Sequence, residues 1–253
     1  MNGWRQLEHS LDAAASRGET IRFWWRDDDA GRDCPALVRL LDMAEQASLP
    51  LALAVIPDWL EPNAQALIAA SAEVTVLQHG FTHANHAAEG QKSIELGGRD
   101  LSAIVAELKK GFTLLQDAFG AAFTPLLVPP WNRIDKALHP HLRDVGYLGL
   151  SVFGERLAAE ISPGVALINT HLDPIDWRGT RGFVGDDVLL ERLTNDLTPD
   201  EPIGLLSHHL AMDEACWAFF DQLFVLLSHH PAARLCQVPD LVDPLSLPNG
   251  HAA

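Results

Sequence analysis

Val74-Thr75-Val76-Leu77-Gln78-His79-Gly80-Phe81-Thr82-His83 is the stretch from which the rest of the chain is read. Its apolar start has the composition of a buried strand, and Gly80 marks where that strand ends. Just beyond it stand two imidazoles four residues apart, His79 and His83. If the chain then turns helically, both rings lie on one face and reach a single ion. A helix-cap histidine next to a surface histidine is the competing explanation. A second polar cluster weighs against it: Arg26-Asp27-Asp28-Asp29-Ala30-Gly31 follows directly on the strand-like run Ile21-Arg22-Phe23-Trp24-Trp25.

The same alternation of apolar runs and helical stripes continues along the chain. Residues 3–17 form an amphipathic helix with Trp4, Leu7 and Leu11 on one face, and residues 20–26 are the first strand. Asp33 is placed to cap the next helix, with Pro35 in its first turn and Leu37, Leu40, Leu41 and Ala44 on its buried face. Further strands are expected at 51–56, 73–77, 123–128, 147–152, 165–170, 202–206 and 235–238. Helices are expected at about 62–70, 100–118, 134–144 and 186–197, with a last long one ending at His229-His230-Pro231. No repeat, low-complexity region or linker interrupts the pattern, so 1–253 reads as a single domain. Strands alternating with helices at this spacing imply a parallel sheet, open or closed into a barrel. Polar clusters at 26–31, 79–86, 129–133, 171–177 and 207–209 all follow strand ends. In parallel α/β folds those ends converge on one rim.

Composition narrows the function classes. A chain of 253 residues with 47% hydrophobic content has ample material for a core, and its formal charge of −16 offers no basic patch for nucleic acid or anionic lipid. The three cysteines, Cys34, Cys216 and Cys236, have no metal-ligand spacing and read as reduced thiols. No stretch has the length of a membrane span, and Met1-Asn2-Gly3-Trp4 does not begin an export signal. The expected location is the cytoplasm. Seven tryptophans stand against one tyrosine, and Trp24, Trp25, Trp59, Trp131 and Trp177 lie close to polar or turn positions. There an indole lines a concave site as readily as it fills a core.

Taken in order, these clusters resemble the motifs of the polysaccharide deacetylase family, also called the NodB-homology or carbohydrate esterase 4 group. Arg26-Asp27-Asp28-Asp29-Ala30 is similar to the first motif, with Asp28 on the catalytic base and Asp29 on a metal ligand; the triple aspartate allows a register one residue earlier. His79 and His83 match the histidine pair of the second motif, with Gly80 in place of a hydroxyl residue. Val128-Pro129-Pro130-Trp131 stands where the third motif carries an arginine. Asp173-Pro174-Ile175-Asp176-Trp177 resembles the fourth motif, and His208 the histidine that closes the fifth, followed here by His209. The likeness spans about residues 20–210. It implies an irregular (β/α)7 barrel and hydrolysis of an amide with one divalent metal, commonly zinc.

The chemistry of the residues is consistent with that implication. An open metal site needs about three protein ligands, and Asp29, His79 and His83 fill those places. Asp28 is then the base for the attacking water, with Asp27 the next choice, and His208 the acid for the leaving amine, oriented by Asp176 or Asp173. His209 points the opposite way on a continuing strand. Arg26 and Arg133 are the two basic residues near the rim; either is a candidate to pair with Asp27 or Asp28 in place of the missing arginine, and an ordinary surface ion pair is the alternative for Arg133. Trp131, Trp177 and Arg133 are the candidate substrate contacts. His86 is a weaker extra candidate, and His229-His230 reads as a helix C-cap. The expected substrate is an N-acylated sugar or small molecule, with no nucleic acid and no membrane as partner. The rival readings are an inactive barrel that binds carbohydrate or acts as a scaffold, a two-metal phosphoesterase, and a purely structural domain.

Overall fold

The apolar runs become parallel strands, and the helical stripes cover their outer face. The computed structural model describes residues 3–242; residues 1–2 and 243–253, the ends of the expected 1–253 domain, lie outside it. In chain order the elements are α1 (Gly3–Ser16), β1 (Ile21–Ala30), α2 (Pro35–Gln46), β2 (Leu51–Val55), α3 (Pro62–Ala70), β3 (Val74–His79), α4 (Leu101–Phe119) and β4 (Phe123–Val128). They continue with α5 (His139–Val145), β5 (Gly149–Leu150), β6 (Glu160–Ser162), β7 (Val165–Leu167), α6 (Asp186–Asn195), β8 (Ile203–Ser207), α7 (Glu214–His229), β9 (Ala233–Leu235) and α8 (Val238–Val242).

The strands lie in the order β6-β7-β5-β4-β3-β2-β1-β8, and β9 pairs with the start of β1. The β6–β7 pair is antiparallel and the remaining pairs are parallel. Seven parallel strands from β7 to β8 thus curl into a half-barrel flanked by helices, the irregular (β/α)7 type. Between its two ends runs the chain after β7. Trp24 Nε1 donates to the Asn169 carbonyl at 3.2 Å, and Leu172 bridges to Leu205 of β8.

Side-chain alternation sorts the strands into two faces. Phe23, Trp25, Leu51, Leu53, Val74, Val76, Ile203 and Leu205 pack outward against the helices, with Leu37, Leu40, Phe220 and Phe224 among their partners. Trp24, Ala52, Ala54, Leu77, Leu126 and Val128 fill the inside. The same period of two sends Arg26 and Asp28 inward with Trp24, and Asp27 outward with Trp25. It also sends His79 inward and Gln78 outward, where the Gln78 amide donates to the Leu108 carbonyl of α4 at 3.2 Å.

Some elements differ from expectation. Asp33 does not cap α2; Cys34 occupies the N-cap without a side-chain hydrogen bond, while the Asp33 carboxylate accepts from Asn63 at 3.1 Å. The helix expected at 134–144 is split into a 3-10 turn at Lys136–Leu138 and α5, which starts one residue before Pro140, where a missing N–H costs nothing. The strands expected at 147–152 and 165–170 shorten to two and three residues, and beyond them pairing continues only as single contacts: the Thr170 N–H donates to the Val152 carbonyl at 2.9 Å, and Phe153 bridges to Thr170. The strand expected at 235–238 forms two residues earlier, and α8 follows it. Among the described residues no helix is long and apolar enough to cross a membrane.

Candidate metal centre

Two adjacent residues of a regular strand face opposite ways, so Asp28 and Asp29 can share a site only if β1 is irregular. The β1–β2 register shifts between Asp27 and Ala30, and Asp29 there takes a left-handed φ of 71°. Such a bulge re-aims a side chain, and strain of this kind is characteristic of functional positions. His79 is the last residue of β3. Its Nδ1 lies 2.9 Å from the Val128 carbonyl, which can only accept, so Nδ1 carries the proton and Nε2 keeps its lone pair. Nε2 lies 3.2 Å from Asp29 Oδ1. His83 reaches the same oxygen at 3.3 Å. It does so by a different route from the helical turn considered above: Gly80 and His83 both have positive φ, 53° and 60°. One ligand atom from each of the three side chains lies within 4.8 Å of the others.

This donor set fits a divalent cation. Asp29 Oδ1 is buried and accepts no well-directed hydrogen bond, although two imidazole nitrogens face it. Burial opposes ionisation of Asp29, but contact with His79 and the charges of His79, His208 and His83 outweigh it and hold the carboxyl well below its usual range. Burial likewise opposes a charge on His79, and the Asp29 contact, with Asp28 nearby, raises its pKa nevertheless. His83 is held below its ordinary value, by burial first and by the neighbouring His79 second. A cation held here would be bound by neutral imidazoles and an ionised carboxylate, as ligand sets of this kind require.

Arg26 and Asp28 stand on the same inner face of β1. Arg26 Nη2 donates to Asp28 Oδ2 at 3.0 Å, Nε lies 2.8 Å from Oδ1, and both side chains are almost wholly buried. Arg26 is therefore the basic residue that pairs with Asp28, whereas Arg133 does not. Its fork is completed by Ser151 Oγ, which accepts at 2.6 Å, and Asn132 Oδ1, which accepts at 3.0 Å. Ser151 was not singled out in the sequence; its signal is a hydroxyl directly after the apolar run that ends β5. Asp27 is spent elsewhere. Its Oδ2 accepts from Ser207 Oγ at 2.6 Å and the His209 N–H at 3.0 Å, and its Oδ1 pairs with His209 Nδ1 at 2.5 Å. That leaves Asp28 as the inward carboxylate, and places His209 on the outer face as alternation requires.

His208 faces Asp28 across the site, Nε2 to Oδ2 3.9 Å, with its Nδ1 buried and unpartnered. The Trp177 ring meets the imidazole edge-on at 4.9 Å, and Trp177 Nε1 donates to Asp173 Oδ2 at 2.8 Å. Burial raises the Asp173 pKa, opposed by the His208 charge. Asp176 has a different place: its oxygens accept from the Gly179 and Thr180 N–H groups at 2.9 and 3.1 Å, which closes the turn carrying Trp177. Asp173 is thus tied to the indole that packs on His208, whereas the Asp176 carboxylate is taken up by its own turn. Trp131, at a left-handed φ of 55°, packs 4.4 Å from the His83 ring, with Trp59 at 5.8 Å. Arg133 donates to the Ser93 carbonyl at 2.8 Å and so braces a loop. His86 is not part of the ligand set, and the His229 ring returns to the Val225 carbonyl within its own last turn.

Comparison with solved structures identifies the fold. A Mycobacterium smegmatis protein assigned as a polysaccharide deacetylase superposes with a TM-score of 0.67 and 16% identity, covering 89% of this chain and 90% of that one. A peptidoglycan N-acetylglucosamine deacetylase gives 0.58 and 17%, covering 90% and 95%. A mutant of a carbohydrate esterase family 4 pseudoenzyme gives 0.60 and 15%, covering 89% and 68%. No family profile matches the sequence, and no curated protein matches it. The chain has the polysaccharide-deacetylase fold, at a sequence distance that makes it a divergent example of it.

Proposed function

We propose that this chain is a metal-dependent hydrolase that cleaves a carbon–nitrogen amide bond, removing the acyl group from an N-acetylated sugar or a small N-acyl compound. One observation carries the reading: Asp29, His79 and His83 converge beside an inward carboxylate, Asp28, that an arginine holds in place. Zinc is the ion that one carboxylate and two imidazoles suit best. Bound there, it would polarise a carbonyl and acidify a water.

The chain's own residues supply the proton transfers. Asp28 takes the proton from the attacking water as the new carbon–oxygen bond forms. The Arg26 fork fixes the orientation of that carboxylate and leaves the Asp28 edge facing His208 at 3.9 Å. His208 gives a proton to the nitrogen as the carbon–nitrogen bond breaks, releasing a carboxylic acid and an amine. Asp173 stabilises the charged imidazole through space, and Trp177 packs its edge against the ring. Asp176 shapes the loop that carries Trp177, and Trp131 steadies His83.

The substrate part of the proposal rests on the rim. Phe153, Trp177 and Leu210, on the loops after β5, β7 and β8, are large apolar side chains left exposed. They suit a short substrate with an apolar or planar face, and the acidic chain offers no attraction to a polyanion. The test is acetate release, under identical zinc loading, from N-acetylhexosamine derivatives, short acetylated oligomers and polymeric chitin. Release from the small compounds is the expected result. Release from the polymer alone would overturn the substrate class, and release from none would overturn the hydrolase reading.

A further inference from the structure

The loop that delivers His83 has to be held open without regular secondary structure, and one buried carboxylate does this. Glu95 is fully buried. Its Oε1 accepts three hydrogen bonds from the turn before His83: the Phe81 N–H at 3.0 Å, the Thr82 N–H at 2.7 Å and the Thr82 hydroxyl at 3.1 Å. The same Thr82 oxygen accepts from the Ala84 N–H at 3.2 Å, so the network closes on both sides of His83. Glu95 Oε2 is buried without a hydrogen-bond partner and lies over Gly80. A Cβ at Gly80 would meet that oxygen at 2.1 Å and Pro130 at 2.7 Å, so Gly80 is required both by its φ and by the carboxylate above it.

Glu95 is itself firmly held. Leu96 bridges to Ile134, the Asp135 N–H donates to the Leu96 carbonyl at 2.8 Å, and Arg133 grips the Ser93 carbonyl. Asn85 Oδ1 accepts from Ile94 N–H at 3.0 Å, which ties the far side of the loop to the same segment.

We infer that Glu95 is the positioning residue of the metal centre. It collects the donors of residues 81–82 and so presets the left-handed turn from which His83 presents Nε2 to Asp29. On this view Arg133 acts on the site by bracing the Glu95 segment. Partners that orient a metal ligand in this way change metal affinity about 10–100-fold when removed. The inference rests on the metal-centre reading of Asp29, His79 and His83.

The test uses the full chain, stripped of metal and titrated with zinc against a chelator of known affinity, alongside thermal melts of the metal-free protein. Glu95→Ala is expected to weaken zinc binding about 10–100-fold. Glu95→Gln, which keeps an acceptor in the same place, is expected to remain close to wild type. A folded Glu95→Ala protein that binds zinc as tightly as wild type would overturn the inference. If Glu95→Ala fails to fold, Thr82→Val removes only the hydroxyl that flanks His83. Weaker zinc binding by Thr82→Val supports the inference, and unchanged binding overturns it. Failure of the wild type to bind zinc is a different result, and would remove the metal centre and this inference together.

Discussion

The Arg26 guanidinium and the Asp28 carboxylate, two residues apart on one strand, face each other inside the barrel at 2.8 Å and 3.0 Å. Pairing within a strand follows from the period of two: residues i and i+2 share a face, and the interior of this barrel is lined there by small side chains, Ala52 and Ala54. The arginine can therefore be supplied by the strand that also carries Asp28, and the 129–133 segment contributes Asn132 as an acceptor.

Asp28→Asn retains the shape of the side chain while removing its basicity. We expect zinc to remain bound, the melting temperature to fall because Arg26 loses its counter-charge, and hydrolysis to drop on the order of 10²–10⁴-fold. The check is turnover alongside metal content. Near-wild-type turnover would put the base elsewhere in the site.

The Asp27–His209 pair on the outer face predicts a stability effect rather than a catalytic one. Burial lowers the His209 pKa, but Asp27 more than offsets it and the net shift is upward. A raised folded value contributes stability that is complete below the ordinary imidazole range and is lost as pH rises through the folded value. Removing one partner of a buried pair costs about 3–5 kcal/mol. In urea melts, Asp27→Ala should therefore lose most at about pH 6, and the gap to wild type should narrow towards about pH 9. A gap that widens with pH would contradict the assignment.

Much of this site is legible in the residues, because strand ends and alternation are local properties. The run before His79 and the run before His208 mark two inward histidines, and the period through Trp24, Arg26 and Asp28 separates Asp28 from Asp27. What local pattern does not reveal is backbone of positive φ and contact across the fold. Asp29 reaches the site through a bulge, and His83 through a non-helical turn at Gly80. Ser151 and Glu95 act through partners more than ten residues away. Asp173 and Asp176 look equivalent in the fourth motif; the turn at Gly179 and Thr180, which only the folded loop discloses, gives them different partners.

The cysteines give a prediction independent of the metal. Burial pushes the Cys216 thiol up to about 12, whereas Cys34 is only half-buried at the N-cap of α2. A thiol reagent at about pH 8 should label Cys34 in the native protein and reach Cys216 only after denaturation, since the thiolate is the reactive form. Mass spectrometry of the labelled peptides reads the order directly. Native-state labelling of Cys216 at the rate of Cys34 would contradict the packing of α7.

Asp29, His79 and His83 are proposed to form one metal site. Anomalous diffraction at the zinc edge, from crystals grown with zinc, tests it most directly. A single strong peak is expected about 2.0–2.2 Å from one oxygen of Asp29 and one nitrogen each of His79 and His83, with Asp28 unligated. No peak among these three side chains, or a peak held by other residues, would contradict it.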